Sequence, residues 1–211
     1  MLTPPSWQGA KRLAALTLAL TLTVAACSGD DEPETAAGPE MVGPLCDLLP
    51  QPGDPGGPDA LVDEPADVAL TWIPVGTNFE AGTRSSGLDA ELNTAEAVTI
   101  LVPSDDAFDA AMSQDTIDQL LLFDHDQMRT LLESHIIDGR MTLDELIAAG
   151  TVTTRSGETL TISTNGNMAR FNDRSETICA GYEVANATIH VVDGVLGVIP
   201  EPAPEADPGV G

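Results

Sequence analysis

Three cysteines and three histidines are the residues of this 211-residue sequence that could support covalent, redox or metal chemistry. The histidines are His125, His135 and His190, and none of them has the H-x-x-x-H or H-E-x-x-H spacing that brings two imidazoles to one metal ion. We therefore predict no metal site and no cofactor. The sequence also has no Ser, His and Asp in a known catalytic order and no glycine-rich nucleotide-binding motif. We predict that the protein is not an enzyme; a hydrolase using an Asp and His135 is the enzymatic alternative.

Cys27 lies at the end of an N-terminal leader. Lys11 and Arg12 precede an uncharged stretch, residues 13–26, which is shorter than the roughly 20 apolar residues of a membrane-spanning helix and is typical of a secretory signal peptide. The sequence Val24-Ala25-Ala26-Cys27 is similar to a bacterial lipobox, in which the cysteine receives a diacylglycerol. We expect residues 1–26 to be removed and lipid on Cys27 to anchor the protein to the outer face of the cell membrane. An ordinary signal peptide or an uncleaved anchor is the alternative.

Cys46 and Cys179 form the remaining pair. In an exported chain they can be oxidised, and a structural disulfide between them would close a loop of more than 130 residues. Catalytic thiol chemistry is the alternative, although the sequence has no C-x-x-C motif and no histidine beside either cysteine.

The charge of the chain is strongly acidic. Its formal net charge is −26, and removing Lys11 and Arg12 with the leader makes it −28. Such a surface repels nucleic acid and anionic lipid headgroups, so we expect neither as a partner. The acidity indicates either a composition bias of the whole organism or a specific cationic ligand.

Two further groups of polar residues have a functional and a structural interpretation. His135 ends an apolar helical stripe, and it could contact a metal or partner, or be a buried histidine satisfied by backbone or by a turn residue such as Asn186. Asp105 and Asp106 could form an acid–base pair. Their position between a strand and a helix favours local capping instead.

The elements that position these residues follow from composition and periodicity. Residues 27–58 are rich in Pro, Gly and acids and are predicted to be a tether, residues 59–200 to be one folded domain, and residues 201–211 to be a disordered tail. Within the domain, residues 98–102 predict a buried strand. Capping boxes at Asp124 with Gln127 and at Thr142 with Glu145 predict two helices, the second ending at Gly150.

After Gly150 the apolar period changes to two, which indicates strands separated by turns. The predicted strands are residues 151–154, 159–163, 168–171, 176–179 and 188–192. Helices followed by antiparallel strands define an α+β fold.

Three segments, residues 99–108, 131–139 and 184–196, resemble the motifs of the fasciclin domain family in order and spacing. The placement of Cys46 and Cys179 resembles that in the secreted and lipid-anchored fasciclin proteins of mycobacteria. The resemblance implies a single α+β domain, a wedge-like antiparallel β-sandwich with several short helices. The sequence departs from the family at residues 72–92, which lack a helical pattern, and at Ser134, where a tyrosine commonly precedes the histidine.

The resemblance implies adhesion or extracellular interaction rather than catalysis. We therefore expect a lipid-anchored, monomeric protein that binds an unknown protein or surface partner at the cell envelope. A small-ligand-binding envelope lipoprotein is the alternative.

Overall fold

The computed structural model of the protein describes residues 41–200. The predicted signal peptide, Cys27, residues 28–40 of the tether and the C-terminal tail lie outside the described residues. Within residues 41–200 a 3-10 turn (Cys46–Leu48) precedes eight α-helices: α1 (Pro58–Leu61), α2 (Ala66–Leu70), α3 (Thr77–Ser86), α4 (Leu88–Thr94), α5 (Asp105–Ala111), α6 (Gln114–Leu122), α7 (His125–Glu133) and α8 (Leu143–Ala149). The strands are β1 (Val98–Pro103), β2 (Ile136–Asp138), β3 (Thr151–Thr153), β4 (Thr159–Asn165), β5 (Met168–Phe171), β6 (Ser175–Glu183) and β7 (Ala187–Val192).

The described strands form one sheet in the order β2-β1-β7-β6-β5-β4-β3. β1 and β7 are parallel, with Ile100 opposite Ile189, and all other neighbours are antiparallel. The predicted α+β class in a single domain is confirmed. The predicted antiparallel sandwich is not confirmed, because the strands hydrogen bond in one continuous order and β1 and β7 are parallel. Parallel pairing is possible there because a long connection separates the two strands in sequence.

The sheet is covered on both faces around β1. Ile100 and Val102 contribute to a large core with the helices, whereas Leu101 contributes to a smaller core with Phe171 and Leu196. This alternation follows from the two-residue period of a strand. β1 and β7 are buried along their whole length, which explains why residues 98–102 are apolar apart from Thr99.

The predicted capping box of α8 is confirmed. Thr142 Oγ1 accepts a hydrogen bond from the Glu145 backbone N–H at 3.3 Å, and Glu145 Oε2 accepts one from the Thr142 N–H at 2.8 Å. The bonds that the Thr142 backbone N–H and hydroxyl donate to the Glu145 carboxylate lower the pKa of that carboxyl. Gly150 ends the helix with a φ of 67°, a left-handed conformation that glycine adopts without strain.

The capping box predicted at Asp124 and Gln127 is wrong. α7 does begin directly after Asp124, but the Asp124 side chain accepts a hydrogen bond from Gln119 Nε2 at 3.1 Å and caps no backbone N–H. The helix ends at Glu133, so His135 lies beyond its last turn.

Residues 72–92, which show no helical pattern in the sequence, contain the helix α3 and most of α4. Gly82 and Gly87, which are poor helix formers, weaken the helical signal of this segment. A Cβ atom on Gly82 would lie 3.0 Å from both Leu132 Cδ1 and Met128 Sδ, so glycine allows α3 to approach α7 closely. Gly87, with a φ of 74°, ends α3 and begins α4.

Residues 41–58, which composition assigns to the tether, also contact the domain. Val42 exchanges two backbone hydrogen bonds of 2.9 Å with Ala180 of β6. Leu49 is buried in the large core, and the Tyr182 hydroxyl donates a hydrogen bond to the Gly56 carbonyl. Burial raises the pKa of Tyr182 to about 12, as expected for a phenol held in its neutral form.

Candidate functional site

A disulfide joins Cys46 to Cys179 of β6 across a sequence separation of 133 residues. The predicted pairing is thus present in the structure. Leu45 donates its backbone N–H to the Ile178 carbonyl at 3.0 Å beside it, and Gln51 Nε2 donates to the carbonyls of Cys46 and Leu49. The disulfide therefore holds the segment before the first helix against the edge of β6.

His135 is completely buried, and both of its ring nitrogens are satisfied. The Leu196 backbone N–H donates to Nε2 at 2.8 Å, so Nε2 is unprotonated, and Nδ1 donates to the Leu131 carbonyl at 2.9 Å. Burial lowers the pKa of His135 to about 4, because the charged imidazolium would lose its hydration. The ring also meets Phe79 edge to face. His135 thus connects the end of α7 to the chain after β7 and has no free nitrogen for a ligand.

His190 has the same arrangement in the middle of β7, which the sequence did not reveal. The Gly181 N–H donates to its Nδ1 at 3.3 Å, and its Nε2 donates to the Met141 carbonyl at 3.0 Å. Burial lowers the pKa of this histidine to about 4 as well. The only sequence signal was a histidine in a strand that is apolar apart from Thr188.

Asn186 does not contact His135, contrary to the interpretation that it could satisfy that ring. Its Oδ1 accepts from the Ala66 N–H at 2.8 Å, and its Nδ2 donates to the carbonyls of Leu92 and Ala95 at 2.8 and 3.0 Å. One side chain in the turn before β7 therefore holds the start of α2 and the end of α4.

Replacing Asn186 by alanine is expected to lower the free energy of unfolding by about 3 kcal/mol, since each lost hydrogen bond contributes about 1 kcal/mol and leaves a backbone group without its partner. Chemical denaturation measures the change. Asn93→Ala in α4 is the matched control, because that exposed amide bonds only to the Asp67 carboxylate. A loss for Asn186→Ala no larger than for Asn93→Ala would contradict this role.

Asp105 and Asp106 do not form an acid–base pair. The α5 cap is Ser104, whose Oγ accepts from the Ala107 N–H, whereas the Asp105 carboxylate accepts from the backbone N–H groups of Thr77 and Asn78 and caps α3. The predicted capping role thus belongs to Asp105, but toward a neighbouring helix. Asp106 is exposed, and no side chain within residues 41–200 pairs with it.

A cleft of about 230 Å³ lies beside the disulfide. Its apolar lining includes Leu45, Leu48, Leu49, Pro74, Val75 and Ile178, and its polar end is formed by Ser104, Asp105 and Asp106. Leu45 and Leu48 are 41% and 56% exposed, so both present apolar surface to solvent at this depression. We name this depression the disulfide cleft.

A wider groove of about 760 Å³ lies over Ser134. Ser134 Oγ bonds to the Thr130 carbonyl and to Ser156 Oγ at 3.2 and 2.9 Å. A Cβ atom on Gly197 would lie 2.5 Å from Ser134 Oγ, so the two residues are in close contact. Ser134 is therefore buried, and the two hydrogen bonds of its hydroxyl connect α7 to the turn before β4.

Among the described residues no group of three or more His, Cys, Asp or Glu side chains could hold a metal ion. No helix within residues 41–200 combines the length and hydrophobicity needed to cross a bilayer.

The family model described as the fasciclin domain matches residues 76–199. The chain belongs to the fasciclin domain family. In the solved structures, it is similar to the domain pair of the insect cell adhesion molecule fasciclin I, with a TM-score of 0.56 and 17% identity. That match covers 66% of this chain, and the chain spans about half (52%) of the domain pair.

Two of the relatives are from Mycobacterium bovis. The immunogenic protein MPB70 is 27% identical over 171 residues, covering 78% of this chain and 85% of the relative. The cell surface glycolipoprotein MPB83 is 26% identical over 214 residues, covering 89% of this chain and 93% of the relative. The protein sll1483 of Synechocystis is 29% identical over 145 residues, covering 65% of this chain and 79% of the relative.

Proposed function

We propose that this fasciclin-domain protein is anchored by lipid on Cys27 outside the cytoplasm and mediates protein or cell-surface interaction at the cell envelope. The observation that carries the proposal is the extent of the similarity to the cell surface glycolipoprotein MPB83. That similarity covers 89% of this chain, which is a larger share of the chain than residues 41–211 make up. It therefore extends into the residues before Met41, toward the lipobox.

The internal chemistry of the domain agrees with an interaction protein. The two buried histidines and Asn186 use their polar atoms to join elements of the fold, so these side chains are committed to structure. The disulfide cleft is smaller than the roughly 300–1,000 Å³ of pockets that enclose small-molecule ligands. At this cleft, the size favours an anchoring side chain of a partner over a drug-sized ligand.

The test uses the full chain expressed in a bacterium that processes lipoproteins, and labelled with an alkyne fatty acid. We expect the unaltered chain to carry the label, remain with the membrane and crosslink on intact cells to one saturable macromolecular partner. Cys27→Ser is expected to remove the label and the membrane association, because the attachment sulfur is gone. Ser28→Ala is the matched control and should behave as the unaltered chain.

Two outcomes would contradict the proposal. Unchanged labelling of Cys27→Ser would place the lipid elsewhere. Crosslinking no stronger than that of a charge-matched surface protein would mean that the domain does not mediate surface interaction.

A further inference from the structure

We propose that the disulfide cleft is a docking site for a protein partner, and that it takes one large apolar side chain from a segment that also carries Lys or Arg. This inference deepens the proposed function and rests on it. Its basis is the combination of a rigid apolar depression, a free carboxylate at one end and the size of a single side chain.

The first wall of the cleft is held in place before any partner arrives. Leu45, Leu48 and Leu49 surround Cys46, which is covalently joined to β6. The Gln51 side chain donates to the Cys46 and Leu49 carbonyls at 2.9 and 2.8 Å and fixes the 3-10 turn. Docking on this wall therefore requires little ordering, and rigid apolar pockets are where the side chains that dominate protein interfaces insert.

The opposite wall is equally fixed. Val75 accepts a hydrogen bond of 2.7 Å from the Asp105 N–H, and the Asp105 carboxylate accepts from Thr77 and Asn78. The loop between α2 and α3 is thus attached to the start of α5. Because Asp105 is used in this way, its carboxylate is committed to the fold.

Asp106 supplies the charge that a partner would meet. It lines the cleft, is exposed, and has no partner among the described side chains. None of the residues that line the cleft is basic. Four arginines of the domain are paired with carboxylates elsewhere, namely Arg84, Arg129, Arg140 and Arg155. With a formal charge of −28 on the mature chain, a cationic segment is the complementary partner.

The volume argues for one anchoring side chain. About 230 Å³ is below the range for drug-sized ligands, whereas aromatic anchors are the side chains enriched at interface hot spots. The exposed Leu45 and Leu48 would then be covered by the backbone on either side of the anchor.

The probe is an acetylated, amidated pentapeptide, Arg-Ser-Trp-Ser-Arg, added to the ¹⁵N-labelled mature chain, residues 27–211 with Cys27→Ser. We expect saturable shifts of the amide signals of Leu45, Leu48, Val75 and Asp106. Replacing Trp by Ser in the peptide should abolish the shifts, because the anchor is lost. Replacing both Arg by Glu should weaken binding at least tenfold.

Variants of the protein locate the site. Leu48→Glu places a charge on the apolar wall and should weaken binding at least tenfold, while Asp106→Asn should weaken it about two- to fivefold, as for an exposed ion pair. The matched controls are Leu122→Glu and Asp118→Asn, which alter an exposed leucine and an exposed aspartate of α6 and should leave binding unchanged. Because Leu48 and Asp106 are exposed, neither variant requires a change in the core.

Several results would overturn the inference. These are shifts confined to residues outside the cleft, equal binding of the Trp and Ser peptides, or unaltered binding by Leu48→Glu. Equal affinity for tryptamine alone would assign the cleft to small molecules instead. Crosslinking on intact cells separates the two proposals: a Leu48→Glu chain that still captures the saturable partner overturns the cleft alone, whereas no partner for the unaltered chain overturns the proposed function.

Discussion

Replacing Cys46 and Cys179 together by serine is expected to lower the free energy of unfolding by up to about 5 kcal/mol, because the disulfide restricts a loop of 133 residues in the unfolded chain. For a domain of this size a loss of that size corresponds to a fall in melting temperature of about 10–20 °C. Differential scanning calorimetry of the mature chain, with and without the two substitutions, measures it. Reduction of the unaltered chain should give the same fall.

The matched control for this experiment is Cys27→Ser, because Cys27 is not part of the disulfide between Cys46 and Cys179. It should leave the melting temperature unchanged. We also expect the double variant to be cleaved by protease within residues 41–58, because Val42, Leu45 and Leu49 would be held only by hydrogen bonds and packing. Equal melting of the double variant and the unaltered chain would show that the disulfide does not stabilise the domain.

Acidification from pH 7.5 to pH 5 is expected to lower the free energy of unfolding by about 4 kcal/mol through His135 and His190 together. Burial lowers the pKa of each to about 4, below the ordinary value of 6.5 that applies in the unfolded chain. Between these two values the unfolded state binds more protons, so stability is fully present above pH 6.5 and is lost as the pH falls toward 4. At pH 5 each histidine accounts for about 2 kcal/mol of the lost free energy of unfolding.

The hydrogen bonds explain why neither ring accepts a proton in place. The unprotonated nitrogen of each ring faces a backbone N–H, from Leu196 for His135 and from Gly181 for His190, and a second proton would meet that donor. Urea denaturation at several pH values measures the slope of the free energy of unfolding against pH. His135→Gln and His190→Gln should each remove about half of it, whatever their effect on stability at pH 7.5.

His125→Gln is the control for the pH experiment, since this histidine is exposed at the start of α7. Its slope should equal that of the unaltered chain. If the variant lacking both His135 and His190 kept the full slope between pH 6.5 and 5, carboxylates rather than the buried histidines would be responsible.

The sequence predicted those elements whose structure depends on residues close to one another in the sequence. The capping box of Thr142 and Glu145 is satisfied within four residues, and Gly150 ends that helix by its own backbone freedom. The strands after Gly150 were predicted because a half-buried strand alternates along its own length. The pairing of Cys46 with Cys179 followed from counting cysteines once Cys27 had been assigned to lipid.

Tertiary contacts alone decided the rest. In helix α3 a side chain at position 82 would crowd Met128 and Leu132 of α7, which are 46 and 50 positions away in the sequence. Asp105 caps α3 rather than its own helix, and Asn186 joins α2 to α4, since both find backbone donors or acceptors that no sequence window contains. The disulfide cleft likewise exists only where the turn at Cys46, the loop before α3 and β6 meet. The periodicity of a sequence reflects the burial of residues along one helix or strand. Caps between elements, hydrogen bonds such as those of Asn186, and the disulfide cleft depend instead on which distant parts of the chain come into contact in the folded domain.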